Sequence, residues 1–223
     1  MKISIHQPAY LPWLGYFDRI ASSDVFVFLD TVQFEKNSFT NRNLIKSANG
    51  PIWLTIPVLQ RNHFQKRLNE IQIDVTQNWR QKHIRSIEIN YRKTLFFDAR
   101  FEKLIRLYDS EYAFLADFCY DHLIFWLDEL NIKTPVIRAS KLNIMGQNSN
   151  LILALCQHLK ATTYISGPLG RDYINEPSFK ELGVDIIYQD YIHPNYEQLY
   201  PPFLPAMGVV DFWMNCKDYK YLS

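Results

Sequence analysis

The sequence predicts an α/β protein: a Rossmann-like, mostly parallel sheet with a helical insertion, forming a single domain over residues 1–223. Two observations favour this class. Apolar, strand-like runs alternate with amphipathic stretches at both ends of the chain, as in strand–helix–strand units. Between them, residues from about 77 to 130 carry helical periodicity alone, which indicates an inserted helical block.

The first unit lies in the opening thirty residues. Lys2–His6 is predicted to be a short buried strand. Pro8 and Pro12 then force a turn, because each fixes φ and lacks an N–H, and Pro12 suits the first position of a helix. Val25–Leu29 is a continuous apolar run, as expected of a strand covered on both faces. The intervening helix has one apolar face, formed by Leu14, Phe17, Ile20 and Ala21.

The remaining elements follow from the same patterns. Residues 30–49 are polar and predicted to be mostly loop, 52–58 a strand, and 67–75 its antiparallel partner. The predicted helices of the block cover 78–93, 98–108 and 111–130. After the block we expect strands at 135–139, 163–166 and 184–189, a helix capped by residues 147–150, and a closing helix at 209–215.

Composition limits the class of protein. A net charge of +1 and the lack of a basic stripe disfavour a nucleic-acid partner. Three cysteines far apart, without a Cys/His cluster, lead us to expect no metal site. No apolar run reaches transmembrane length, so we expect a cytoplasmic protein whose partner is a small molecule. The sequence does not predict the oligomeric state.

Polar residues that follow the first two strands form the main candidate site. His6, Gln7 and Asp30 should emerge at one rim of the sheet, where open α/β sheets bind ligands. Histidine titrates near neutral pH, and a carboxylate such as Asp30 would orient it as a general base. The alternative is a packed histidine at a strand end and an aspartate that caps a loop.

The loop after the second strand and a later turn extend this candidate site. Lys36 and Arg42 are the residue types that hold phosphate or carboxylate, and a solvated loop is the alternative. The turn after the 163–166 strand has glycines that would let an anion approach the backbone, although an ordinary turn fits as well. Further candidates for substrate binding are Tyr10, Trp13, Gln33, Asn41, Asn43, Ser166, Gly167 and Tyr173.

The opening run closely resembles that of the WbqC-like family. The resemblance rests on the residues 6–17 (HQPAYLPWLGYF) and 24–30 (DVFVFLD), and continues at 32–34, 41–43, 53–58, 163–167, 188–189 and 193–196. It implies a setting in bacterial surface-polysaccharide (O-antigen, lipopolysaccharide) gene clusters and suggests a glycine or aminoacyl transferase. The strand–turn–helix opening is also similar to that of HIGH-type nucleotidylyl transferases, although Tyr16 stands where they carry a histidine.

These observations lead to one expected function and two alternatives. We expect a transferase that adds glycine or another acyl group to an activated amino sugar, with a nucleotide-sugar as substrate. In this interpretation His6, Asp30, Lys36 and Arg42 are the catalytic group. The alternatives are an ATP-dependent ligase or nucleotidylyl transferase, and an accessory protein that binds sugar without turnover. The cofactor is not determined, with ATP or an acyl donor as the candidates.

Overall fold

The computed structural model describes residues 1–59 and 66–217. The strands in this part of the chain are β1 (Lys2–His6), β2 (Val25–Phe28), β3 (Arg42–Ser47), β4 (Gly50–Thr55), β5 (Val136–Arg138), β6 (Thr163–Ser166) and β7 (Asp185–Tyr188). The α-helices are α1 (Leu14–Ala21), α2 (Trp79–Tyr91), α3 (Phe97–Asp109), α4 (Leu115–Glu129), α5 (Asn148–His158), α6 (Glu176–Glu181) and α7 (Val209–Asn215).

Five of the strands form one parallel sheet in the order β5-β2-β1-β6-β7. The chain moves from β1 to one edge through β2 and β5, and then returns to the other side of β1 for β6 and β7. This is the strand order of doubly wound nucleotide-binding folds, and the direction reverses between β1 and β6. A crevice at the C-terminal ends of these two strands is therefore the expected ligand position.

Helices cover the two faces of the sheet, which explains its apolar strands. On one face, α1, the helical block α2–α4, the β3–β4 hairpin and α7 share a core with Phe26 and Phe28. On the other face, α5 and α6 pack on Ile3, Ile5 and Val27. β2 thus presents apolar side chains to both sides, Phe26 and Phe28 to one and Val27 to the other, as its continuous apolar run predicts.

The structure corrects three local predictions. Residues 42–47, predicted to be loop, form β3 and pair antiparallel with β4. The stretch 67–75 does not form the predicted antiparallel partner of 52–58: it contains a 3-10 turn at Leu68–Glu70 and isolated bridges at Arg67, Gln72 and Ile73, the last to Val58. Pro12 does not begin the first helix, because Trp13 is its N-cap and Leu14 its first residue.

Candidate active site

The C-terminal ends of the parallel strands bring residues from distant parts of the sequence to one rim. His6 ends β1 and is followed by Gln7, while Ser166 ends β6 and is followed by Gly167. Gln189 follows β7, and its backbone N–H donates to the Ser166 carbonyl at 2.8 Å. These residues therefore lie at the C-terminal ends of neighbouring parallel strands, and the candidate site is the crevice expected between the ends of β1 and β6.

The ring of His6 is held in one tautomer at this rim. Its Nδ1–H donates to the Gln7 carbonyl at 2.9 Å, so Nε2 carries the lone pair. The Tyr16 hydroxyl donates to the same carbonyl at 3.1 Å, and its ring meets the imidazole edge-on at 4.8 Å between centroids. Within the described residues, Nε2 makes no hydrogen bond, which leaves it available to a ligand.

Burial keeps this imidazole neutral. Desolvation and the positive charge of Arg19 lower the pKa of His6 and the hydrogen bond to Gln7 opposes them, which leaves the pKa at about 3. At neutral pH the ring is therefore uncharged, and its Nε2 is an acceptor of hydrogen bonds.

Asp30 is fully buried but does not contact His6. Its Oδ2 accepts from Arg138 Nε at 2.9 Å and from the Ser140 hydroxyl at 2.7 Å, and its Oδ1 accepts from the Ser140 N–H at 2.9 Å. Arg138 also donates to Asp117 at 2.6 Å. The carboxylate therefore joins β2 to the segment after β5, and the group that orients His6 is the Gln7 carbonyl.

The loop and hairpin residues lie apart from these contacts. Lys36 and Gln33 are exposed. The guanidinium of Arg42 stacks 4.3 Å above the Trp53 ring, and its Nη2 donates to the Asn37 carbonyl at 2.6 Å. In the described part of the chain, neither Lys36 nor Arg42 forms a hydrogen bond or ion pair with His6, and their role in holding an anion stays a prediction.

The side chains of the two asparagines of this region form hydrogen bonds to backbone carbonyls. Nδ2 of Asn43 donates to the carbonyls of Tyr10 and Leu11 at 3.1 and 2.7 Å. Nδ2 of Asn41 donates to the Ile56 carbonyl at 2.9 Å. Both side chains are buried. Asn43 joins the hairpin to the turn after β1, and Asn41 joins the two ends of the hairpin to each other.

Tyr10 differs from the expectation that it stacks on a substrate. Its side chain is 0% exposed, and its hydroxyl bonds to His83 Nδ1 at 2.8 Å and to the Tyr108 hydroxyl. A ligand at the rim cannot reach this ring, because the helical block covers it. Trp13 is partly buried and lies edge-on to Tyr191, with ring centroids 5.3 Å apart.

The turn after β6 forms the other side of the crevice. Ser166 is fully buried, and its hydroxyl donates to the Gly167 carbonyl at 3.1 Å. Gly170 lies directly over this hydroxyl and has no room for a Cβ. Tyr173, which follows the 3-10 turn at Pro168–Asp172, is 50% exposed. Of the predicted residues in this turn, Gly167 and Tyr173 are open to solvent.

Sequence analysis missed one residue of the crevice, Arg19. It belongs to α1, is only 5% exposed, and its Nη1 would lie 2.5 Å from a Cβ atom built on Gly167. A signal was available: most of α1 is apolar or small, so an arginine within it has little solvent-facing surface on which to lie.

Residues 1–59 and 66–217 contain neither a metal-binding cluster nor a membrane-spanning helix. No group of three or more His, Cys, Asp or Glu side chains in that part of the chain is arranged to hold a metal ion. None of its helices has the length and apolar character needed to span a membrane.

The fold defines a doubly wound α/β protein whose strand order reverses between β1 and β6. The chain belongs to the WbqC-like protein family, whose model matches residues 7–221. It is 33% identical over 216 residues to an uncharacterized protein of Mycobacterium tuberculosis, a match that covers 96% of this chain and 93% of that relative. No solved structure matches the chain.

Proposed function

We propose that this protein is a transferase that adds glycine or another acyl group to the amine of a nucleotide-activated amino sugar, in the synthesis of bacterial surface polysaccharide. The observation that carries the proposal is His6, a neutral imidazole with a free Nε2 at the crevice between β1 and β6. The polysaccharide setting rests on the WbqC-like family resemblance.

The reaction requires a proton acceptor beside the attacking amine. The amine nitrogen forms a bond to the acyl carbon while the bond from that carbon to the donor's sulfur or oxygen breaks. The proton that the nitrogen loses passes to Nε2 of His6 and then to the leaving group, so atoms and charge balance. The donor is an activated acyl group, such as a thioester or an acyl phosphate.

Incubation of the protein with nucleotide amino sugars and glycyl donors tests this function. Mass spectrometry should show addition of one glycyl residue to the sugar. His6→Gln should slow this transfer roughly 100- to 10,000-fold, the usual contribution of a general base. His158→Gln, at the exposed end of α5, is the matched control and should retain full activity.

The strand order also fits a protein that uses ATP, since doubly wound sheets of this order bind nucleotides. ATP-dependent release of pyrophosphate with a carboxylic acid, and no acyl transfer to sugar, would favour a ligase or nucleotidylyl transferase. Binding of a nucleotide-sugar without turnover in either assay would instead favour an accessory sugar-binding protein.

A further inference from the structure

We propose that the guanidinium of Arg19, seated against Gly167 in the crevice between β1 and β6, binds a phosphate group of the substrate. This inference deepens the proposed transferase function, because it names a phosphate ester as the ligand of the same rim. It also assigns the anion-binding role to Arg19 on α1 in place of Lys36 and Arg42, which lie on the loop and the hairpin.

The first argument is that Arg19 is buried without a partner. The residue is 5% exposed, and in the described part of the chain its guanidinium forms no hydrogen bond or ion pair. The Asp18 carboxylate and the hydroxyls of Tyr16, Tyr164 and Tyr173 act on its charge through space, but none of them is hydrogen-bonded to it. Asp18, its neighbour on α1, accepts instead from Gln189 Nε2 at 2.5 Å. A buried charge without a partner destabilises a fold, so its presence is typical of a site that awaits an opposite charge.

Arg138 shows what a structural arginine looks like in this protein. Its side chain is 18% exposed, and it forms ion pairs with Asp30 at 2.9 Å and with Asp117 at 2.6 Å. Arg19 is more buried than Arg138 and forms no ion pair in the described part of the chain. The comparison makes a purely structural role for Arg19 hard to support.

The second argument is the glycine at position 167. Gly167 has φ −71° and ψ 165°, a conformation that any residue can adopt, so the backbone does not require glycine. The position of the Arg19 guanidinium favours it: a Cβ atom there would stand 2.5 Å from Arg19 Nη1 and 3.3 Å from its Cζ, so the guanidinium would have to move. Gly167 therefore makes room for the guanidinium and leaves the backbone open to a ligand.

The third argument is position. Doubly wound folds bind the phosphates of nucleotides where the strand order reverses, here between β1 and β6. The guanidinium of Arg19 lies at that point, against Gly167 immediately after β6. A guanidinium binds phosphate with two parallel hydrogen bonds. Gly167 is partly exposed and Tyr173 is half exposed, so a ligand can approach the backbone there. The charge of Arg19 also acts on His6, whose Nε2 makes no hydrogen bond in the described residues.

Calorimetric titration of the whole protein tests the inference. The probes are UDP, a UDP-linked amino sugar, inorganic pyrophosphate and, as a carboxylate, acetate. Wild type should bind the phosphate probes and not acetate. Arg19→Met should weaken phosphate binding roughly 10- to 100-fold, the contribution expected of hydrogen bonds to a charged group. Gly167→Ala should weaken it as well, by displacing the guanidinium, while Arg19→Lys should lose less than Arg19→Met.

Arg85→Met is the matched control, because it removes the same charge from an exposed position on α2. It should bind all probes as wild type does. The melting temperature without ligand is the second measurement: Arg19→Met should melt at or above the wild-type temperature, since it removes a buried charge without a partner. A structural arginine would give a lower melting temperature.

Three results would overturn the inference: no binding of any phosphate probe to wild type, unchanged affinity in Arg19→Met, or acetate binding in place of phosphate. The proposed transfer reaction can fail separately. Phosphate binding that depends on Arg19, without any acyl transfer, would refute the transferase and leave the binding site standing. Acyl transfer that is unaffected by Arg19→Met would refute the phosphate site at Arg19 and leave the transferase standing.

Discussion

Asp30 and Arg138 form an ion pair of 2.9 Å that joins the C-terminal ends of β2 and β5, and the carboxylate is completely buried. Asp30→Ala should lower the free energy of unfolding by about 3–5 kcal/mol, because it leaves the Arg138 guanidinium without this buried partner. Urea denaturation measures the change. Asp128→Ala, which removes an exposed ion pair, is the control and should change stability by less than about 0.5 kcal/mol. A stable Asp30→Ala protein that loses all activity would instead assign Asp30 to the chemistry.

Arg19 and His6 should be coupled in their titration. The groups that face His6 are Arg19 and Tyr16 from α1 and the Gln7 carbonyl, and the charge of Arg19 lowers the pKa of His6. Arg19→Met should therefore raise the pKa of His6, and so should a phosphate bound to Arg19 in the wild type. The chemical shift of the His6 Cε1 proton, followed with pH by NMR, measures this effect. Equal titration in wild type and Arg19→Met would contradict it.

His122 should make the protein sensitive to acid. It lies in an aromatic cluster with Phe118 and Tyr108, and neither ring nitrogen has a hydrogen-bond partner in the described residues. Burial lowers the pKa of His122 to about 3. In the unfolded chain the imidazole takes up a proton near pH 6.5, but in the folded chain it does so only near pH 3. The contribution of neutral His122 to the free energy of unfolding is therefore complete above pH 6.5 and is lost as the pH falls toward 3.

The variant His122→Phe isolates this effect, since every other titrating group is shared with wild type. Between pH 6 and pH 4, the loss of unfolding free energy should be smaller in the variant by about 1.4 kcal/mol per pH unit. Denaturation curves at several pH values give both slopes. Parallel slopes would mean that His122 is protonated in the folded protein.

Asp211 should be a structural residue of the C-terminal segment. This buried carboxylate accepts from the hydroxyls of Tyr91 and Tyr196, each at 2.8 Å, and from Gln198 Nε2 at 2.7 Å. Gln198 in turn accepts from the Nζ of the buried Lys46 at 2.6 Å. Asp211→Ala should cost at least about 2 kcal/mol of stability, because it leaves these donors buried without an acceptor.

Thermal and chemical unfolding of Asp211→Ala test this role, with the exposed Asp109→Ala at the end of α3 as the control for loss of charge. The control should unfold as wild type does. Asp211→Ala with wild-type stability would show that the network does not hold the segment in place.

The sequence predicted the parts of the fold whose patterns are local. Lys2–His6, Leu14–Ala21 and Val25–Phe28 form one contiguous unit, and apolar spacing with proline and serine boundaries was enough to find it. β3 was missed because Arg42, Asn43 and Lys46 make it look polar. Two of these are buried, Asn43 through hydrogen bonds to backbone carbonyls and Lys46 through Gln198, and such tertiary contacts have no periodic signal.

The same distinction applies to the candidate site. The rim followed from two strands close in sequence, so His6 and Gln7 could be located. The partner of Asp30 could not, because Arg138 lies 108 residues further along the chain. Arg19 on α1 was also overlooked, because its guanidinium lies against Gly167, which follows the helical block in the sequence. Sequence patterns locate elements, but the pairs that complete a site come from the folded chain.

The neighbouring positions of β1 and β6 make the crevice a seam between the first thirty residues and the last third of the chain. A ligand held there would cross-link two segments that the sequence keeps far apart. Ligand binding should therefore raise the melting temperature of the entire domain, because the ligand binds the native state and not the unfolded chain. The increase in melting temperature can thus rank a panel of sugar nucleotides as ligands without knowledge of the reaction.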